Sequence, residues 1–288
     1  MRPSVMAEAC CNHMGDLDIA LEMINVASSY CKADVIKFQK RNIKENLSPA
    51  RYNGPHPEPS NAFGKTYGEH REALEFDIKT HALLKKHCED RGILYAVSVF
   101  DLTSTIECVE IGAKIIKVPS ALNHNNDILS YLCDKFEGSI HISTGMTTSA
   151  ELNDLVGFLS SKGRTKDVVL YACTSSYPCR FEDLHLKHIQ NLNNQFGEYM
   201  HAIGFSGHHN GIAADVAALA LGATWFERHF TLDRTWKGTD QPASLEPDGL
   251  RKLVRDLKNV NLALTDRPPG ILEGEKFNRH FHKENKGL

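Results

Sequence analysis

No stretch of this 288-residue sequence approaches 18 consecutive apolar residues, so nothing in it reads as a membrane-spanning helix. No run of Lys or Arg disturbs a near-even balance of 33 basic and 36 acidic residues. With a formal net charge of −3, the electrostatic footprint of a nucleic-acid binder is missing. Low-complexity tracts and repeats longer than a strand–helix unit are absent as well, which leaves out solenoids and disordered arrays. The eight cysteines, Cys10, Cys11, Cys31, Cys88, Cys108, Cys133, Cys173 and Cys179, contain no CxxC pair. Scattered through strand-like and helix-like segments, they read as buried free thiols rather than a zinc site or disulfide framework. The first residues, Met1-Arg2-Pro3-Ser4, lead into an apolar stretch too short for a signal peptide and broken by Glu8. The expectation is a cytoplasmic, untethered protein with neither membrane nor nucleic acid as a partner.

What is present is a composition of 41% hydrophobic and 24% charged residues, that of a globular protein with ample core. Short β-branched or apolar runs alternate with longer amphipathic stretches. Strands are expected at Val5 to Cys10, Val35 to Gln39, Leu94 to Val99, Ile115 to Pro119, Ser139 to Ser143, Val168 to Thr174, Ala202 to Ser206 and Trp225 to Phe230. Helices are expected at Leu17 to Tyr30, Ile78 to Asp90, Thr103 to Ile111, Asp127 to Cys133, Ala150 to Leu159, Leu184 to Phe196, Ile212 to Leu221 and Pro247 to Leu264. In the first of these, Leu17, Ala20, Leu21, Ile24 and Ala27 mark one face of a 3.6-residue period. Eight βα units in a row predict an α/β fold of the (β/α)8 TIM-barrel type, a single domain over residues 1–264.

Two segments depart from the alternation. Residues 40 to 77 carry Pro49, Gly54, Pro55, Pro57, Pro59, Gly64 and Gly68 and read as a long turn-rich loop covering the substrate face. Residues 265–288 hold too few apolar residues for a domain and read as a C-terminal extension.

In a parallel barrel the chemistry sits at the strand C-terminal ends. There the sequence places Glu8 and Asn12-His13, Lys37 with Gln39, Lys117 with Ser120, Ser143-Thr144-Gly145, Thr174-Ser175-Ser176-Tyr177, Ser206-Gly207-His208-His209, and Glu227-Arg228-His229. Two lysines among several hydroxyls are what a phosphate-bearing anion needs: charge from the ammonium, donors from the hydroxyls, close backbone approach at glycine. The alternative is that Lys37 and Lys117 simply pair with Glu8 and Glu227. His208 and His229 end neighbouring strands and are candidates to share one divalent ion with Glu8 and waters, His209 being the competing residue.

Taken in order, Ala7-Glu8, Asn12-His13-Met14-Gly15-Asp16, Lys37-Phe38-Gln39, Phe100-Asp101, Lys117-Val118-Pro119-Ser120, Ser143-Thr144-Gly145-Met146, Cys173-Thr174-Ser175-Ser176-Tyr177-Pro178, Glu227-Arg228-His229-Phe230-Thr231-Leu232-Asp233-Arg234, Gly238-Thr239-Asp240 and Ala243-Ser244-Leu245-Glu246-Pro247 resemble the NeuB family of sialic acid synthases. The resemblance implies a transferase that condenses phosphoenolpyruvate with N-acetylmannosamine or a related aldose, releasing phosphate and a 2-keto-3-deoxy sugar acid. It implies that Lys37, Lys117, Ser120, Ser143, Ser175 and Ser206 hold phosphoenolpyruvate, that Gln39, Tyr177 and Asp240 contact the sugar, and that His208 and His229 bind the metal. Mn²⁺ is the expected ion, with Mg²⁺ or Co²⁺ as alternatives. Glu8, Lys117, His208 and His229 are the expected catalytic set, Glu8 serving the water that completes the reaction, and a homodimer is the expected assembly. Typical members continue past the barrel into an antifreeze-like (SAF) domain, which this sequence does not reach. At Leu122, many members carry a glutamate that contacts the sugar, so a different acceptor or pose is expected. The basic residues Arg41, Lys44, Arg51, Lys65 and Arg71 of the long loop either replace the missing domain, grip a phosphorylated acceptor, or are simply solvated. A metal-dependent sugar aldolase and a catalytically inactive binding subunit are the competing functions.

Overall fold

The computed structural model describes residues 2–284. Eight parallel strands, β1 (Ser4–Cys10), β2 (Val35–Lys40), β3 (Leu94–Val99), β4 (Ile115–Val118), β5 (Ser139–Ser143), β6 (Val168–Cys173), β7 (Ala202–Gly207) and β8 (Trp225–His229), pair in sequence order. Pairing of β1 with β8 closes the barrel, with Glu8 opposite His229 and Met6 opposite Glu227. Each strand follows the sequence expectation to within a residue at its ends, because the apolar runs that mark them are bounded by turn residues on both sides.

Alternation along each strand sorts residues into two populations. Ala7, Ile36, Phe38, Val97, Ile116, Val118, Ile140, Ile142, Leu170 and Phe205 belong to the large outer core, packed against the helices. Met6, Val35, Ala96 and Ile115 form a small inner cluster with Trp225 against it. Along the same inward register the polar residues appear: Glu8 pairs with Lys37, Ser98 with Lys117, and Ser206 with Glu227. The barrel is thus apolar low in its interior and charged toward the strand C-terminal ends.

Barrel helices run over Leu17–Asn25, Ile78–Asp90, Leu102–Glu110, Asn126–Lys135, Ser149–Ser161, Lys187–Phe196, Ala213–Ala220 and Pro247–Ala263. The first widens into a π turn over Val26–Tyr30 and so ends short of the regular helix expected to Tyr30. Caps set several starts: Asp16 accepts from Asp18 and Ile19, and Thr148 forms a capping box with Glu151.

Residues 40–77 are not the turn-rich loop that the proline and glycine content suggests. They contain the helices Ile43–Asn46, Pro49–Asn53 and Tyr67–Leu74 and a 3-10 turn at Pro59–Asn61. Pro49 sits at the first turn behind the Ser48 cap, where proline is favourable, and Thr66 with Glu69 closes a capping box. Gly68 lies within a helix, and a Cβ there would meet the Tyr52 ring at 2.1 Å, so it serves close packing rather than a turn. The segment is anchored at both ends: the Arg41 amide donates to Glu75 at 2.7 Å, and the Asn42 amide to Asp101 at 2.7 Å. Beyond the last barrel helix, residues 265–283 are mostly exposed. None of the helices among the described residues is long and apolar enough to cross a membrane.

Candidate active site

At the strand C-terminal ends a cavity of about 340 Å³ is lined by Glu8, Lys37, Gln39, Lys117, Ser120, Ser143, Ser175, Tyr177, His208, Glu227, His229 and Asp240. All the expected site residues but Ser206 therefore meet in one place. Ser206 donates to Glu227 Oε1 at 3.0 Å instead of lining the cavity. A larger depression of about 900 Å³ lies beside it along Thr144, Cys173 and His185, but none of Lys37, Lys117, Glu8 and Glu227 lines it.

Lys37 Nζ lies 2.6 Å from Glu8 Oε2 and 3.7 Å from Glu227 Oε2, and it donates to Ser98. Lys117 Nζ donates to Glu227 Oε1 at 2.6 Å and faces the Tyr171 ring at 4.2 Å. The pairing set against a phosphate role is thus realised, and both lysines still line the cavity. The two glutamates are driven apart. Burial pushes the Glu8 carboxyl up to about 7 despite Lys37. Burial acts on Glu227 as well, but Lys117 and Lys37 outweigh it and hold that carboxyl well below its ordinary range. For Lys37, Glu227 and Glu8 overcome burial and raise the ammonium, whereas for Lys117 burial prevails and lowers it.

Hydroxyls and a glycine form the neighbouring wall. The Gly145 amide donates to Ser120 Oγ at 3.1 Å. A Cβ on Gly145 would meet Ser175 Oγ at 2.4 Å and Ser120 Oγ at 2.8 Å, so only glycine leaves both hydroxyls where they are. Gln39 is held in place at the cavity wall: its Nε2 donates to Glu8 at 2.9 Å and lies 2.8 Å from Cys10 Sγ, while its Oε1 accepts from Arg41. Leu122 packs against the outer core, and Ala121 takes the place at the cavity wall.

The histidines separate cleanly. His208 and His229 approach with ring centroids 5.3 Å apart, and Tyr177 packs 4.2 Å from His208. His208 Nδ1 donates to the Thr174 carbonyl at 3.0 Å, which fixes the orientation of the ring, and the side chain also reaches the Cys173 thiol. His209, the competing candidate, is fully buried outside the cavity. There it contacts Arg228 at 3.2 Å and Asp215 at 3.2 Å, an arrangement that secures the end of β7.

Cys10 is the residue that sequence reasoning missed. A β-bulge between Glu8 and Cys10 puts Cys10 at φ +50°, a conformation that side chains other than glycine rarely adopt. Its Sγ donates to Asp240 Oδ2 at 2.7 Å, and donor atoms of Cys10, His229 and Asp240 all lie within 4.8 Å of one another. Glu8, expected beside the metal, shares the cavity with His229 and Asp240 and is paired there with Lys37 and Gln39. These donors fit a divalent cation on two counts. His229 Nδ1 is buried with no hydrogen-bond partner, and burial, with Asp240 opposing and His208 adding to it, brings its imidazole down to about 4 and keeps it neutral. Ser98 and Cys173 also line the cavity, unanticipated as site residues, and of the five basic residues weighed in the segment after β2, Arg41 and Arg71 line it too. For Ser98 a signal existed, the one serine in the run Leu94–Val99.

The family model described as "NeuB family" matches residues 23–268. The chain belongs to the NeuB family. N-acetylneuraminate-9-phosphate synthase of Homo sapiens is 37% identical to this NeuB chain over 260 residues, 90% of the chain and 70% of the relative. N,N'-diacetyllegionaminic acid synthase of Campylobacter jejuni is 34% identical over 273 residues, 94% of the chain and 79% of the relative. Among solved structures, the N-acetylneuraminic acid synthetase of Leptospira borgpetersenii in complex with citrate superposes with a TM-score of 0.82 at 30% identity, covering 99% of this chain and 94% of that one. A 3-deoxy-D-arabino-heptulosonate 7-phosphate synthase from Thermotoga maritima shares the fold at a TM-score of 0.67 and 16% identity.

Proposed function

We propose that this NeuB chain condenses phosphoenolpyruvate with the open-chain form of an aldose, giving a 2-keto-3-deoxy sugar acid and inorganic phosphate. The observation that carries the reading is the convergence of Lys37, Lys117, Ser120, Ser143 and Ser175 on the same cavity as His208, His229 and Asp240. One set of groups is suited to an anion, the other to a cation and a sugar. The two relatives named as N-acetylneuraminate-9-phosphate synthase and N,N'-diacetyllegionaminic acid synthase support it.

In this reading Lys37, Lys117 and the three serine hydroxyls hold the phosphate and carboxylate of phosphoenolpyruvate, with Ser206 acting through Glu227. Gln39, Tyr177 and Asp240 orient the sugar so that its aldehyde carbon faces C3 of the enol. His208, His229 and Asp240, with Cys10, would hold a divalent cation, expected to be Mn²⁺, with Mg²⁺ or Co²⁺ as alternatives. Bound there, it supplies Lewis acidity toward the aldehyde oxygen. The enol π electrons form the new carbon–carbon bond while the C=O π pair passes to the aldehyde oxygen, which takes a proton from solvent to become a hydroxyl, and C2 becomes electron-poor. Glu8, whose carboxyl stands near 7, orients the water that adds to C2 and takes up its proton. The tetrahedral carbon then expels phosphate with the C–O bonding pair while its new hydroxyl gives up its proton to the departing phosphate and becomes the keto oxygen, and the lysines balance the phosphate charge.

The test is inorganic phosphate release from phosphoenolpyruvate with Mn²⁺ across N-acetylmannosamine, its 6-phosphate, mannose and arabinose, alongside His229→Ala. Release that needs one sugar and vanishes in the variant supports the synthase. A sugar aldolase would act through pyruvate and release no phosphate. Silence with every sugar would favour a binding subunit.

A further inference from the structure

Five basic side chains of the segment after β2 were candidates to meet a ligand, and the structure divides them. Lys44, Arg51 and Lys65 are exposed. Arg41 and Arg71 line the cavity. Arg41 is buried, stacked over the Phe100 ring at 3.6 Å, with its Nη2 on Gln39. Arg71 directs Nε and Nη2 at the Tyr67 hydroxyl, at 3.0 and 2.8 Å. A guanidinium has five N–H donors, so most of those on Arg71 are left for something else.

Their counter-charges are few. Among the described residues no carboxylate lies within ion-pair distance of Arg71. Arg41 has Glu75 at 3.8 Å. Both act on Asp240 and on Cys11 through space. Two guanidiniums turned into a shared, partly desolvated cleft are costly unless an anion joins them. The lysines with their serine hydroxyls already provide for one anion. Arg71 also lines an adjoining cleft with Cys11, Phe63, Thr239 and Asp240, on the side of the site where the acceptor is placed above.

We infer that Arg41 and Arg71 form a second anion subsite, which receives the phosphate of an aldose phosphorylated away from its aldehyde. The assignment rests on the synthase reading for the position of the aldehyde, and it selects a sugar phosphate over a neutral sugar as acceptor. The planar fork of Arg71, braced by Tyr67, suits two phosphate oxygens at once. Arg41, fixed on Phe100 and Gln39, links that phosphate to the wall holding Glu8.

The experiment is calorimetric binding of N-acetylmannosamine 6-phosphate and of N-acetylmannosamine, with phosphoenolpyruvate absent and present, to the unaltered protein and to Arg71→Ala, Arg71→Lys and Arg41→Ala. The phosphorylated sugar binds at least about tenfold more tightly to the unaltered protein, Arg71→Ala and Arg41→Ala erase roughly ten- to a hundredfold of affinity for it, and Arg71→Lys keeps part. Phosphoenolpyruvate affinity and the melting temperature of Arg71→Lys stay unchanged. Equal affinity for the two sugars, or a preference that survives Arg71→Ala, overturns the subsite. Phosphate release separates it from the function: arginine-dependent binding without turnover removes the synthase reading alone, whereas turnover by the unaltered protein that does not distinguish the two sugars, or a preference for the phosphorylated sugar that survives Arg71→Ala, removes the subsite alone.

Discussion

Lys117 and Glu227, 110 residues apart in the chain, meet inside the barrel with Nζ 2.6 Å from Oε1. Glu227 also receives the Ser206 hydroxyl and lies 3.7 Å from Lys37, so one carboxylate serves both buried ammoniums. This is how a barrel interior keeps two lysines ready for an anionic substrate. Each retains N–H donors toward the cavity while its own charge is answered from below.

Glu227→Gln keeps the shape and removes the charge, leaving Lys117 buried without its partner. The variant is expected to lose about 3–5 kcal/mol of stability, read by urea denaturation at neutral pH. Because burial already lowers the Lys117 ammonium, the loss shrinks as pH rises toward the alkaline range, where Lys117 gives up its proton. Adding Lys117→Met to Glu227→Gln restores part of the stability. A single variant as stable as the parent would mean that the pair contributes nothing.

Gly145→Ala tests the hydroxyl wall. The backbone at Gly145 does not require a left-handed conformation, yet the new methyl would stand 2.4 Å from Ser175 Oγ and 2.8 Å from Ser120 Oγ. The fold should survive while both hydroxyls are displaced. The expected result is a KM for phosphoenolpyruvate raised about tenfold or more, with thermal stability little changed. An unaltered KM would remove Ser120 and Ser175 from the phosphate site.

Much of this architecture is legible along the chain because strand alternation and helix periodicity are local. Glu8, Lys37, Lys117 and Glu227 stand out as charges in apolar runs, and closing the barrel brings them together. What a linear reading cannot supply is a local break in that geometry. Alternation does not say that a bulge after Glu8 turns Cys10 toward Asp240, so Cys10 reads as one more buried thiol. Nor does it say which of two adjacent histidines faces inward: His208 does, while His209 is committed to Arg228 and Asp215. In the segment after β2, prolines and glycines that signal turns in isolation are absorbed as a helix first turn at Pro49 and a close helix contact at Gly68.

Cys10 gives the cation site a soft donor beside His229 and Asp240. Co²⁺ added to the protein should produce an intense near-ultraviolet sulfur-to-cobalt charge-transfer band that Cys10→Ser abolishes. His208→Ala and His229→Ala should weaken Co²⁺ binding, and His209→Gln should leave it unchanged. A Co²⁺ complex lacking the band in the unaltered protein would exclude Cys10 as a ligand.

Glu75 offers a pH signature outside the cavity. It accepts the Arg41 amide, and burial pushes its carboxyl from 4.5 up to about 7, with Arg41 and Lys40 opposing and Cys11 adding to the rise. Between those values the folded chain holds a proton that the unfolded chain has released, so the slope of unfolding free energy with pH is negative there. The favourable contribution is complete below about pH 4.5 and is lost as pH rises through about 7. The difference of about 2.5 pKa units corresponds to an order of about 3 kcal/mol. Glu75→Gln cannot release a proton, so its stability relative to the parent should improve steadily from pH 5 to pH 7.5, as followed by urea midpoints measured in parallel. Parallel stability curves for the two proteins would show that Glu75 titrates normally, with Arg41 neutralising it fully across that range.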